Sequence, residues 1–327
     1  MIEILSSSAL GTIQDGGRLG YYRDGVGRSG AMDPVALAMG NALLGNDRNA
    51  AAVEIPMLPF QLRFAADTDI AVVGADCSAR LDDMTLPPDW AIRARTGQTL
   101  SLSAPRSGCR AYLCVGGGLD VPEVLGSRST QLRESFGGLD GRMLHKGDRL
   151  RALRSDTVLP EGGLGAMPIG NMLPLGDGPA VHVRVLPAAE YEFFLPDAQQ
   201  ALWDADWAVT PQSNRAGYRL AGPELRLQAP VELRSHGVVP GVIQVPPGGA
   251  PIIQLADAAT MGGYPKIGTV IEADLWRLGQ AGPGAKLRFV QVTYQQALAA
   301  GTELEAALAA VETMAARLRG AALGWTR

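Results

Sequence analysis

Apolar residues in this chain fall in short runs, and glycine or proline breaks nearly every one of them. Ile70-Ala-Val-Val73, Ala111-Tyr-Leu-Cys-Val115, Val181-His-Val-Arg-Val185 and Lys286-Leu-Arg-Phe-Val290 alternate or cluster β-favouring residues, so each reads as a strand. Turn signals recur between such runs: Asp15-Gly16-Gly17, Gly116-Gly117-Gly118, Gly137-Gly138 and Pro247-Gly248-Gly249. Many short strands with close turns predict a mainly β protein built of barrels or sandwiches rather than a βαβ sheet.

Helical patterns are few. Asp33-Pro34 reads as an N-cap followed by proline at the first helical position, and Gly45 ends that helix. A second helix is expected over 188–200, interrupted at Pro196. Thr302 and Glu305 have capping-box spacing, and Leu304, Leu308, Val311 and Leu318 repeat on one face before Gly320, which predicts a C-terminal helix. The Gly- and Pro-rich stretch Glu161–Pro179 reads as a linker, dividing the chain into a domain over 1–165 and another over 166–327 with interleaved strands allowed.

At 327 residues the chain exceeds the usual size of one hydrophobic core, which supports two domains. A net charge of −4 excludes a general polyanion binder, which needs a basic field. Cys77, Cys109 and Cys114 have neither metal-ligand nor CxxC spacing, so no metal site and no disulfide framework are expected. The N-terminus lacks the basic and apolar regions of a signal peptide, and no apolar run is long enough to span a membrane. These readings predict a cytoplasmic protein. Only three of the 29 basic residues are lysines: Lys146, Lys266 and Lys286. A lysine in a shaped loop therefore stands out.

The richest segment is Ser235–Gly268, where 12 of 34 positions are Gly or Pro and strand fragments lie between them. Sparse polar residues, among them His236, Gln244, Asp257 and Lys266, give it the character of a site built on strand ends. Asp257 and Lys266 flank a tight loop; if it folds back they face one pocket, where they could polarise an amide oxygen and assist proton transfer. A structural ion pair is the competing reading. Asn214-Arg215-Ala216-Gly217-Tyr218-Arg219 is rich in donors suited to carboxylate or phosphate, or else forms a surface hairpin. Gly25-x-Gly27-x-x-Gly30 matches a dinucleotide motif, but no apolar strand precedes it and the helix starts only at Asp33.

Three groups of residues resemble the biotin-dependent carboxyltransferase family. They are Ile13-Gln14-Asp15-Gly16-Gly17-Arg18 with Ser29-Gly30-Ala31-Met32-Asp33, then Gly40–Asn46, then Val239–Pro246 with Gly262–Ile267. That family includes the C subunit of 5-oxoprolinase, the carboxyltransferase part of urea carboxylase and a sporulation regulator that binds a kinase inhibitor. The resemblance implies two cyclophilin-like β-barrel domains with a few short helices and a C-terminal helix. It further implies ATP-dependent opening of 5-oxoproline to L-glutamate, with B-like and A-like 5-oxoprolinase proteins as separate partners and ATP used through the complex. The alternatives are a carboxyltransferase half-enzyme, with biotin carried on another chain because no Met-Lys-Met motif is present, and a regulator without chemistry. The residues the resemblance carries over are Lys266 and Asp257 as the polar centre, with Asn214, Arg215, Tyr218 and Gln244 as substrate contacts. Arg18 and Asp33 would line the first domain's face, and His236 departs from a position where the family carries an acidic residue.

Overall fold

The computed structural model describes residues 1–7, 10–153 and 157–325. It is mainly β, as expected, and divides into two compact units whose segments alternate along the chain. The first unit takes Met1–Arg18, Ser29–Leu173 and Glu305–Arg327, and the second takes Leu19–Arg28 and Pro174–Leu304. The main crossing therefore falls at 173–174, inside the Gly/Pro-rich linker, while the last part of the C-terminal helix groups with the first unit.

The described strands of the first unit form two six-stranded sheets. In Phe60–Phe64 the alternation is strict: Phe60, Leu62 and Phe64 are buried while Gln61 and Arg63 are exposed, which marks a sheet with one wet face. The central strands of the other sheet, Thr68–Asp76 and Ser107–Val115, are buried on both faces. Ile70, Val72, Leu113 and Val115 point into the shared core of the two sheets, and Ala71, Val73, Tyr112 and Cys114 meet the helix Pro34–Leu44. Two-sided burial is why Ile70-Ala-Val-Val73 reads as an unbroken apolar run. Gly40 lets the helix lie close, since a Cβ there would stand 2.6 Å from the Cys114 Sγ.

That helix begins and ends where its sequence directs. The Asp33 carboxylate accepts from the Ala36 N–H at 2.8 Å, and Gly45 takes the left-handed conformation beyond its last turn. The second and last helices differ from expectation. Pro196 opens the helix Pro196–Asp204 instead of interrupting one, because a proline at the first helical position removes no hydrogen bond. The C-terminal helix runs over Tyr294–Trp325 and already contains Thr302, whose hydroxyl donates to the Leu298 carbonyl. The functioning box is Thr293 with Gln296: the Thr293 hydroxyl accepts from the Gln296 N–H, and the Gln296 side chain accepts from the Thr293 N–H.

The second unit is a closed seven-stranded barrel in the order Val181–Pro187, Lys266–Val270, Val242–Gln244, Ile252–Gln254, Gly217–Ala221, Trp207–Val209 and Lys286–Gln291. Val181–Pro187 and Lys286–Gln291 close it as a parallel pair, while the other pairs are antiparallel. Trp207 and Phe289 stack at 6.3 Å in its core with Ile243, Ile253 and Ile267 buried beside them. A two-stranded ribbon, His236–Gly237 with Met261–Gly262, stands outside the barrel sheet.

Candidate functional site

The segment Ser235–Gly268 becomes three barrel strands and the ribbon, and Gln244, Gln254, Lys266 and His236 are linked across them by pairing and hydrogen bonds. Gln244 pairs in register with Lys266, next to a bulge: Ile243 faces Gly268, so one extra residue lies on the lysine strand. A bulge re-aims a side chain, and here it brings Lys266 opposite Gln244. Both are buried, at 8% exposure for Lys266 and 5% for Gln244.

Lys266 Nζ is hydrogen-bonded to His236 Nε2. The other ring nitrogen, Nδ1, lies 2.9 Å from the Arg234 carbonyl. Glu190 supports the lysine on a second side: one carboxylate oxygen accepts the Lys266 N–H at 3.1 Å, and the other lies 4.0 Å from His236 Nε2. Burial pushes the Lys266 ammonium below the usual lysine range, and the Glu190 carboxylate opposes that shift. Gln244 uses its carbonyl oxygen to accept from the Gln254 amide at 2.9 Å. Its own amide nitrogen is buried with no hydrogen-bond partner. Such leftover buried donors are rare and costly unless something outside the chain completes them.

Asp257 does not pair with Lys266. Its carboxylate takes a two-point ion pair from Arg215, at 2.8 Å to Nε and 3.1 Å to Nη2, and its N–H donates to the Arg215 carbonyl. Neither the shared pocket nor the ion pair expected of Asp257 with Lys266 is formed, because Arg215 takes the carboxylate. The Arg215 contacts latch the 255–258 turn onto the 215–216 turn. Asn214 supplies turn chemistry, its side-chain oxygen accepting from the Ala216 and Gly217 N–H groups. Tyr218 is 2% exposed on the strand Gly217–Ala221 and packs in the barrel.

Arg18 and Asp33 are both buried and make contacts within the first unit. The Arg18 guanidinium is 1% exposed, donates to the Val124 and Ser129 carbonyls and lies 4.6 Å over the Phe136 ring. Asp33 caps its helix. The Gly25–Gly30 motif makes a shaped turn: Gly30 has φ +89°, and a Cβ there would stand 2.9 Å from Gly17.

Sequence reasoning missed Glu190, which lies in a stretch read as helical. Only strand pairing finds it, because Pro187 pairs with Gly268 and the chain beyond Pro187 therefore runs beside Lys266. Among the described residues no group of His, Cys, Asp and Glu could hold a metal ion, and no helix is long and apolar enough to cross a membrane. Two grooves of about 430 and 600 Å³ belong to the first unit and include none of the residues around Lys266.

Residues 24–291 match the carboxyltransferase domain, subdomain A and B. The chain is 42% identical over 301 residues to the 5-oxoprolinase C subunit of Escherichia coli (strain K12), covering 92% of this chain and 94% of that protein. It is 40% identical over 297 residues to the Haemophilus influenzae protein of the same name, with 91% and 93% covered. The crystal structure of Kluyveromyces lactis urea amidolyase superimposes with a TM-score of 0.86 at 31% identity, covering 95% of this chain but only 20% of that one.

Proposed function

The chain belongs to the carboxyltransferase domain family, and from that premise we propose that it is the C subunit of an ATP-dependent 5-oxoprolinase, opening 5-oxoproline to L-glutamate together with B-like and A-like partner proteins. The observation that carries this reading is 42% identity to a protein of that name along nearly the whole length of both chains. The site geometry agrees with it. Lys266 and Gln244 are register partners on paired strands and each carries a donor, Nζ and the unpaired Nε2, of the kind that suits a lactam or carboxylate oxygen. Holding that oxygen draws electron density from the amide carbon and eases attack on it. Arg215 and Asp257 keep the neighbouring turns in place while Lys266 touches the substrate.

A partner would complete the site. Met261 and Tyr264, 56% and 48% exposed, flank the loop that leads to Lys266 and offer an apolar rim. ATP use belongs to the assembled complex in this reading. Three free cysteines, two of them buried, suit a reducing cytoplasm.

The test is reconstitution with the B-like and A-like proteins. Glutamate should form only when ATP, 5-oxoproline and all three chains are present, and an inert complex of folded partners would sink the reading. The likeness to urea amidolyase favours a second reading, carboxyl transfer from biotin borne by another chain. Avidin separates the two: it should abolish activity only in the second case.

A further inference from the structure

We propose that His236 is the positioning residue for Lys266. Held in the tautomer that carries its proton on Nδ1, the ring accepts a hydrogen bond from Lys266 Nζ and fixes the ammonium beside the Gln244 amide, so that both donors reach one ligand oxygen. The proposal rests on the reading that Lys266 contacts the substrate, and the ligand class it implies is an amide or carboxylate oxygen.

The tautomer follows from the partners. A backbone carbonyl can only accept, so the 2.9 Å contact with the Arg234 carbonyl places the proton on Nδ1. Nε2 is then an acceptor, and the group bonded to it is the Lys266 ammonium, which only donates. The arrangement has the logic of a catalytic triad with the roles moved: a carbonyl orients a ring, and the ring orients a reactive nitrogen.

Gln244 is fixed in the complementary way. Its oxygen is taken by Gln254, so its nitrogen remains the free donor, and Lys266 is its register partner. The ribbon carrying His236 also covers this amide. His236 pairs with Gly262, where a Cβ would stand 2.6 Å from Gln244 Nε2. One ribbon thus orients the lysine and roofs the glutamine. The His236 ring is itself 44% exposed, so packing does not require it. Glu190, 12% exposed, comes within 4.0 Å of the ring and accepts the Lys266 N–H.

The experiment has two arms. In the first, the full chain is labelled with 15N-histidine. It holds three histidines, and His236→Gln identifies the signals of His236. The expected spectrum at neutral pH shows His236 protonated on Nδ1, with its Nε2 signal moving toward the unbonded value in Lys266→Met. A proton on Nε2, or an Nε2 signal indifferent to Lys266→Met, overturns the proposal. In the second arm, variants are assayed in the complex with both partner proteins. His236→Ala should lower kcat about tenfold with a smaller change in KM. His236→Gln, whose amide oxygen still accepts, should stay within about threefold of the parent. An unchanged kcat for His236→Ala, or equal losses in both variants, overturns it. The first arm needs no catalysis, so a failed proposal and a failed assignment of function give different results.

Discussion

Asp15 in the first unit and Lys266 in the second are both buried, and the two are treated in opposite ways. In the first unit the Asp15 carboxylate accepts from the Gly17 N–H at 2.8 Å, the Ser127 hydroxyl at 2.6 Å, and the Arg128 N–H and Ser129 hydroxyl, both at 2.5 Å. The chain itself satisfies that anion, which ties a turn near the N-terminus to the 127–129 segment. In the second unit Lys266 is held by a ring that is half in solvent, and the donor beside it has no partner. The contrast separates fold from site. A buried charge whose contacts are all internal stabilises architecture, whereas a leftover buried donor whose register partner is the half-held Lys266 is the place where a ligand oxygen fits.

Four substitutions put that contrast at risk. The largest effect should come from Lys266→Met, which is expected to cut glutamate formation by the complex about a thousandfold. Urea unfolding of the same variant should match the parent or improve on it, because a partly desolvated ammonium is removed. Retained activity would end the claim that this lysine serves the site. Asp15→Ala should do the reverse, lowering the stability of the first unit by about 4 kcal/mol as four donors lose their acceptor. A loss below about 1 kcal/mol would show that Asp15 is no keystone.

Asp89→Asn tests a third buried charge. Burial pushes the Asp89 carboxyl up to about 6, with the Asp33 and Asp76 carboxylates adding to the rise and the Gly74 N–H opposing it. The folded value lies above the unfolded 3.8, so the protonated form favours the fold. That contribution is complete below about pH 4 and is lost as pH rises through about 6. The parent should therefore lose about 2 kcal/mol between pH 4 and 7 that Asp89→Asn does not lose, since an amide oxygen can still accept from Gly74. Urea titrations followed by tryptophan fluorescence measure the difference, and parallel pH slopes would refute it. The smallest effect belongs to Arg48→Ala. Its contacts with Glu305 and Glu312 are half exposed, and calorimetry should show a loss of about 0.5 kcal/mol or less.

Strands and their faces were legible because hydrophobic periodicity reports burial directly. Phe60–Phe64 alternates and Ile70–Val73 does not, and each pattern matches what lies on its two sides. The first helix was legible from Asp33 and Gly45 because its caps are local in sequence. The start of the last helix was misplaced because Thr302 and Thr293 both open plausible boxes, and the choice belongs to the residues that precede them. Within the site, Lys266 and Gln244 stood out as polar residues among glycines and strand fragments. Their companions did not. Whether Asp257 pairs with Lys266 or Arg215 depends on a contact 42 residues away in sequence, and Glu190 reaches the site from 76 residues away. Local pattern carries no record of such closures.

The alternation of segments between the units also sets an order for synthesis. Arg319 donates to the carbonyls of Ala42 and Leu43 at the end of the first helix, and Ala315 belongs to the core that this helix shares with its sheet. Those contacts join residues that lie more than 270 positions apart in sequence. On the ribosome every segment of the second unit, 19–28 and 174–304, is made before the 305–325 stretch of helix that the first unit needs to close. The first unit therefore stays incomplete until all segments of the second have been made. Any truncation near the C-terminus should be felt first at the opposite end of the sequence.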